Sequence, residues 1–377
     1  MKRNIAIDYL RSSVIMLVVA HHAALAYSTF SHYDPVHFMA STAPVVDTSR
    51  WMPLDLFVGW NEMFFMSLMF LISGLFTIPS IERKGVGQFL FDRTKRLGIP
   101  FVIAVTVLSP LAYCPSWLSS NAVSQGDFLR RFFSANDWTP GPAWFLWVLL
   151  AFCGVVAVAY QLIPNLMKKL SWSAASARSL VVMFLAVSLL TTVPLRLFIL
   201  PTTWSRLAGP LVFQTWKLLL YFAWFLLGVA LGGANLERSL SRDNLRPWPV
   251  WLALGGLTYV AHGLLEAQGA YFVNTPKWLM DVIFATVYSF CCTFTSLAAL
   301  GLARSFFLTA RPLADNFAES AYGIYIFHYG FVTWIQFYLL TKPLPAALKF
   351  LITFSVALTA SWLLTALLRK TVASKVL

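Results

Sequence analysis

Long apolar runs divide this chain into segments of about twenty residues, separated by shorter polar stretches. A hydrocarbon core of about 30 Å needs about 20 apolar residues per helix. Ten segments meet that length: 5–29, 54–79, 97–114, 143–163, 178–200, 211–232, 248–268, 277–301, 319–341 and 346–368. Runs this continuous do not alternate as barrel strands do, so each is expected to be a helix. The fold class predicted is all-α: a polytopic membrane bundle of about ten transmembrane helices. It is expected to form a single transmembrane domain over residues 1–377, with no appended soluble domain. The connections 30–53 and 115–142 are the longest. Both are polar, carry Pro, Trp and Asp, and exceed ordinary loop length, which often marks function. No internal repeat of the kind found in inverted-repeat transporters is visible.

The polar stretches set an orientation. The N-terminal tail, the loops after the second, fourth, sixth and eighth segments, and the C-terminal tail hold 18 Lys/Arg, counting Arg178 at the edge of the fifth segment. Lys2, Arg3, Arg83, Lys84, Arg93, Lys95 and Arg96 are among them. The alternate loops hold about six. The positive-inside rule then puts both termini in the cytoplasm and the two long connections outside. The first segment is expected to be retained. Asp8 and Arg11 interrupt it, and no A-x-A-like site is followed by a soluble domain.

Composition agrees with a membrane protein. The chain is 59% hydrophobic and only 11% charged, with a mean hydropathy of +0.70; soluble domains carry about 25% charged residues. The 15 Trp, 13 Tyr and 32 Phe suit interfacial aromatic belts. A net charge of +13 raises nucleic-acid binding. The distribution argues against it, because no basic domain, aromatic platform or Gly-rich phosphate loop stands apart from the apolar runs. Cys114, Cys153, Cys291 and Cys292 show no metal-ligand spacing and read as small buried hydrophobes. No metal is expected.

Ionisable residues inside the apolar runs carry the chemical signal, since each costs roughly 2.5–3.5 kcal/mol on insertion scales. Arg11 and His22 lie eleven steps apart in the first segment, about 16 Å along a helix and on nearly the same face. Asp8 extends the stripe, while His21 is about 100° around the helix and off it. His22 reads either as a general base facing an internal cavity or as a buried structural histidine. Glu62, at a comparable depth in the second segment, reads as a group that orients an imidazolium, binds a polar acceptor or forms a structural ion pair. Arg93 and Arg96 share a face beside Lys95, which suits either a phosphate clamp or topology-setting charge. His328 is expected near mid-membrane as a second base, a substrate ligand or a packing hydrogen bond. His262 and Glu266 form an i, i+4 pair. Arg196 and Asp281 carry no assigned role.

At these residues the chain resembles the acyltransferase-3 family of membrane proteins. Ile7-Asp8-Tyr9-Leu10 with Arg11-x10-His22 is similar to the family's opening pattern. Phe64-Phe65 through Leu71-Ile72-Ser73-Gly74-Leu75-Phe76 resembles its aromatic segment ending in Ser-Gly. Phe89-Leu90-Phe91-Asp92-Arg93-Thr94-Lys95-Arg96-Leu97-Gly98-Ile99-Pro100 resembles its R-x-x-R segment ending in Pro. Gly141-Pro142-Ala143-Trp144-Phe145-Leu146 and Tyr322-Gly323-Ile324-Tyr325-Ile326-Phe327-His328 resemble its Trp-Phe-Leu and Tyr-x-His spans. Within the family, the branch that modifies periplasmic glucans with succinyl groups looks nearest. That branch tends to have an Arg-Met-Pro-type sequence before its double Phe, where this chain has Asn61-Glu62-Met63.

The resemblance implies a ten-helix enzyme of the bacterial inner (plasma) membrane. It would move an acetyl- or succinyl-class acyl group from cytoplasmic acyl-CoA to a hydroxyl of an extracytoplasmic carbohydrate or other envelope acceptor. Arg93, Lys95 and Arg96 would hold CoA phosphates, and Arg11, beside Asp8, would line the passage. His22 would activate the acceptor hydroxyl or accept the acyl group itself, with Glu62 near it. His328, Trp144 and Tyr325 would contact substrate. The partners implied are the lipid bilayer, acyl-CoA and the envelope acceptor. The competing function is a secondary transporter or flippase for a polar or anionic solute, using the same charges as a substrate path.

Overall fold

A computed structural model describes residues 4–120, 126–134, 138–163, 171–234, 236–268 and 274–376. Lys2 and Arg3 lie outside the described residues. The principal helices are α1 (Ile5–Leu25), α2 (Met52–Leu75), α3 (Thr77–Lys84), α4 (Val86–Arg93), α5 (Ile99–Ile103), α6 (Ser109–Leu118), α7 (Phe128–Phe132), α8 (Trp144–Leu162) and α9 (Ala177–Phe198). A two-stranded antiparallel hairpin follows, β1 (Trp204–Arg206) pairing with β2 (Val212–Gln214). The chain continues with α10 (Leu218–Gly233), α11 (Leu236–Ser239), α12 (Arg242–Leu245), α13 (Trp248–Ala267), α14 (Lys277–Phe306), α15 (Pro312–Leu339) and α16 (Ala346–Leu368).

Among the described residues, eight helical stretches are long and apolar enough to cross a bilayer. Two expected spans differ. Residues 211–217, apolar at Leu211, Val212, Phe213 and Trp216, belong to the hairpin and its exit, because Gly209 (φ +46°) and Pro210 turn the chain there, and α10 begins only at Leu218. Segment 319–341 overlaps α15 up to Leu339, and the helix's 28 residues give ample length while Asp315, His328, Gln336 and several tyrosines lower its apolarity. The third expected span, 97–114, is the middle of one helical stretch from Val86 to Leu118. It contains two π-helical turns, Thr94–Gly98 and Ala104–Leu108, each followed closely by a proline. Pro100 and Pro110 cannot donate to a carbonyl one turn back. Side chains meet the need: Tyr322 Oη donates to the Arg96 carbonyl, and Trp138 Nε1 donates to the Val105 carbonyl at 2.9 Å.

With little hydrophobic drive between helices in lipid, close backbone approach and polar contacts hold the bundle. Helices α2 and α10 touch backbone to backbone. A Cβ on Gly228 would lie 2.1 Å from the Leu71 carbonyl oxygen, and one on Gly232 would lie 2.0 Å from that of Leu75. The spacing of those two glycines is the small-xxx-small pattern that permits such contact. Between α9 and α14, the Thr192 and Ser289 hydroxyls meet at 2.7 Å; between α10 and α9, Trp224 Nε1 donates to Ser188 Oγ at 3.0 Å. Helix α1 sits centrally against α2, α14, α15 and α16.

The segment between α1 and α2 folds over the end of α1. Arg50 donates to the Ser28 and Ser31 carbonyls at 2.5 and 2.9 Å, and Lys349 of α16 pairs with Asp47 at 2.6 Å. Both members of that pair are buried.

Candidate active site

Helices α1 and α15 run side by side in the same direction. Near their starts, Tyr9 Oη donates to Asp315 Oδ1 at 2.7 Å. Thirteen residues further along each helix, the His22 and His328 rings meet, with centroids 5.3 Å apart. His22 lies in the last turn of α1, where carbonyls lack intrahelical donors. Gln336 of α15 supplies its amide to the His22 and Ala23 carbonyls at 3.0 and 3.2 Å, fixing this end of the pair. His328 Nδ1 lies 2.7 Å from the Tyr325 carbonyl oxygen. A carbonyl only accepts, so Nδ1 carries the hydrogen and the neutral ring presents an unprotonated Nε2. That Nε2 is buried without a partner, and so is His22 Nδ1 on the adjacent ring. Tyr329 packs edge-on against His22 at 5.0 Å and stands 6.0 Å from Tyr113. Beside them a small cavity of about 20 Å³, room for one water, is lined by Ser109, Pro142, Tyr325 and Tyr329.

Glu62 does not contact His22. Its Oε1 lies 3.4 Å from Nε2 of His21, and its Oε2 lies 3.2 Å from Lys217 Nζ. Lys217, from the exit of the hairpin, is buried at 3% exposure and also donates to the Glu62 carbonyl. Its ammonium lies over the Trp216 and Tyr288 rings at 5.2 and 5.4 Å, a cation–π cradle. Glu62 keeps 43% of its side-chain surface accessible between these two buried neighbours. His21 stacks on Phe65 and meets His22 edge-on at 5.4 Å. A continuous line thus runs from Lys217 through Glu62, His21 and His22 to His328.

The second cluster lies where α2 gives way to α3 and α4. Arg83, Lys84, Arg93, Lys95 and Arg96 line one cavity of about 350 Å³, with Ser80, Phe89 and Asp92. Arg93 lies over the Phe89 ring at 5.2 Å. Arg93 and Arg96 are separated by the start of a π turn rather than three steps of regular helix. They still face the same cavity, together with Lys95. π turns recur at functional sites because they re-aim side chains. Through the Arg96 carbonyl this cluster is tied to Tyr322, six residues and about 9 Å before His328 on α15.

The remaining expected site residues are placed as follows. Arg11 pairs with Asp8 at 3.8 Å, about 16 Å from His22 along α1. Tyr325 donates its hydroxyl to the Pro142 carbonyl. Trp144 packs with Tyr221 and Trp204 in an aromatic group. Arg196 pairs with Asp281 at 3.2 Å, which Lys277 also reaches at 2.5 Å. His262 and Glu266 lie 3.7 Å apart on α13. Lys217, Tyr329 and Gln336 join the site without having been singled out in the sequence, and His21 joins it from a face set aside there.

Long apolar helices carrying buried ionisable groups define a multi-pass membrane protein. A family model described as an acyltransferase domain, that of the acyltransferase-3 family, matches residues 4–366. The chain therefore belongs to the acyltransferase-3 family and is a membrane acyltransferase. No curated protein and no solved structure matches it.

Proposed function

We propose that this acyltransferase takes an acyl group of the acetyl or succinyl class from cytoplasmic acyl-CoA. It delivers the group to a hydroxyl of an extracytoplasmic carbohydrate or similar envelope acceptor. Both termini then face the cytoplasm of a bacterial cell, as the loop charges favour. The basic cavity binds the CoA phosphates from the cytoplasmic side, with Arg93, Lys95 and Arg96 as ligands. The pantetheine arm runs inward past the Arg96–Tyr322 contact, and the thioester reaches the histidine pair. Arg11 and Asp8 flank the same face of α1.

His22 acts as general base. Its ring takes the proton from the acceptor hydroxyl as the oxygen attacks the thioester carbonyl. The C–S bond breaks, the electron pair leaves with sulfur, and the imidazolium returns the proton to the thiolate. The products are an ester and CoA thiol. His328 positions the base. Its Nδ1–H is committed to the Tyr325 carbonyl, so its Nε2 can accept from His22 Nδ1–H and leave His22 Nε2 as the basic atom. Such hydrogen bonds tighten when substrate is bound. Glu62, held by Lys217, and His21 flank the acceptor side, where the accessible carboxylate can bind hydroxyl groups.

The observation that carries this reading is the pair of adjacent imidazoles with unpartnered buried nitrogens, His22 on α1 and His328 on α15, the helix whose Tyr322 grips the basic segment. The test is thermal stabilisation of the purified protein by CoA. Wild type should be stabilised, and Arg93→Ala/Arg96→Ala should lose the effect. No stabilisation of wild type favours the transporter or flippase instead, which has no reason to bind CoA.

A further inference from the structure

The basic cavity contains two groups of cations on separate arms. Arg83 and Lys84 end α3, while Arg93, Lys95 and Arg96 belong to α4 and the π turn after it. Gly85 joins the arms with φ +79°, a left-handed conformation open to glycine, and turns the chain so that they face each other. Across the gap, Lys84 is paired with Asp92, whose other oxygen accepts from Gln88 at 2.8 Å. Five cationic side chains against one carboxylate leave the cavity a net charge of +4. A diphosphate with a phosphate monoester carries about four negative charges near neutral pH, and a diphosphate alone about two. The cavity therefore holds more positive charge than a diphosphate needs.

The arms also differ in depth. Arg83 and Lys84 are exposed at the rim. Arg93 and Lys95 are half-buried, and Arg96, though exposed, is tied through its carbonyl to Tyr322 on the helix that leads to His328. The thioester arm leaves from the diphosphate, so the diphosphate must lie on the arm nearer the histidines.

We infer that the cavity reads the donor's phosphates separately: Arg93 and Arg96 hold the diphosphate, and Arg83 and Lys84 hold the 3′-phosphate of the nucleotide. Asp92 occupies Lys84 until that phosphate displaces it, and so competes with donors that lack the group. This assignment rests on acyl-CoA being the donor. It makes Arg83 and Lys84 specificity-determining residues, selecting CoA over pantetheine carriers without a 3′-phosphate.

The experiment measures equilibrium binding of CoA and of dephospho-CoA, which lacks only the 3′-phosphate, to full-length protein in zwitterionic detergent free of anionic lipid. Wild type should bind CoA about ten- to hundredfold more tightly, the range expected for charge-assisted hydrogen bonds to one phosphate. Arg83→Ala/Lys84→Ala should bind both ligands equally, at the wild-type affinity for dephospho-CoA. Arg93→Ala/Arg96→Ala should weaken both. Asp92→Asn, a gain-of-binding variant that misfolding cannot imitate, should tighten CoA severalfold and leave dephospho-CoA little changed. Equal affinities in wild type, or a preference that survives in Arg83→Ala/Lys84→Ala, would overturn the assignment while leaving CoA as donor. Failure of wild type to bind either ligand would overturn the donor reading as well.

Discussion

Replacing Lys349 by Met should destabilise the protein through a single uncompensated charge. Lys349 Nζ lies 2.6 Å from Asp47 Oδ2, with 3% and 1% of the two side chains exposed. The same carboxylate accepts from the Ser49 N–H at 2.8 Å and keeps only that donor in Lys349→Met. Removing one partner of a buried pair costs about 3–5 kcal/mol, because the other charge stays in a low-dielectric site. An unfolding entropy of about 2.1 cal/mol/K per residue gives roughly 0.8 kcal/mol/K for 377 residues, so Tm should fall by about 4–6 °C. Asp47→Asn should cost a similar amount. The double variant Lys349→Met/Asp47→Asn removes both charges and should recover most of the loss, since the pair repays its desolvation only when both members are present. The assay is thermal unfolding of the four proteins in one detergent, followed by tryptophan fluorescence. A fall below 1 °C in Lys349→Met, or additive losses in the double variant, would refute the reasoning. The pair clamps the segment that follows α1 onto α16, and the Asp47 N–H donates to the Ala26 carbonyl at 2.9 Å, four residues beyond His22, so the single variants should also slow acyl transfer.

Three further outcomes follow from named contacts. His328→Gln should lower kcat about 10²- to 10⁴-fold, the usual range for a displaced general base, with CoA affinity unchanged when read by thermal shift. Tyr322→Phe removes the hydroxyl that caps the Arg96 carbonyl, a loss of about 1 kcal/mol, and should weaken CoA binding about fivefold. Gly232→Val places a branched side chain where a Cβ already lies 2.0 Å from the Leu75 carbonyl oxygen. It should abolish recovery of folded protein by size-exclusion chromatography.

Much of this architecture is legible in the sequence, because apolar length and loop charge follow directly from the bilayer. His22 and His328 stand out for the same reason: an imidazole in an apolar run is expensive. Their meeting is not legible, since it depends on α1 and α15 lying parallel. His21 is off the single stripe a helical wheel gives, yet a central helix has neighbours on several sides and His21 faces Phe65 and Glu62 of α2. Lys217 begins an apolar run, where a cation ordinarily marks an interface. Only the packing of α10 on α2 brings it to Glu62. The hairpin at 204–214 hid because its second strand is apolar enough to extend the following helix pattern. The π turns hid because the proline positions that accompany them also fit an ordinary kink. Arg83 and Lys84 were legible only as topology-setting charges, since their shared cavity requires the reversal at Gly85.

The central claim is that His22 deprotonates an envelope hydroxyl that receives the acyl group. Mass spectrometry of envelope glycans tests it most directly, from cells lacking the protein and cells producing wild type or His22→Ala at equal membrane level. The account predicts an added acyl mass with wild type and none with His22→Ala; the same added mass in both would contradict it.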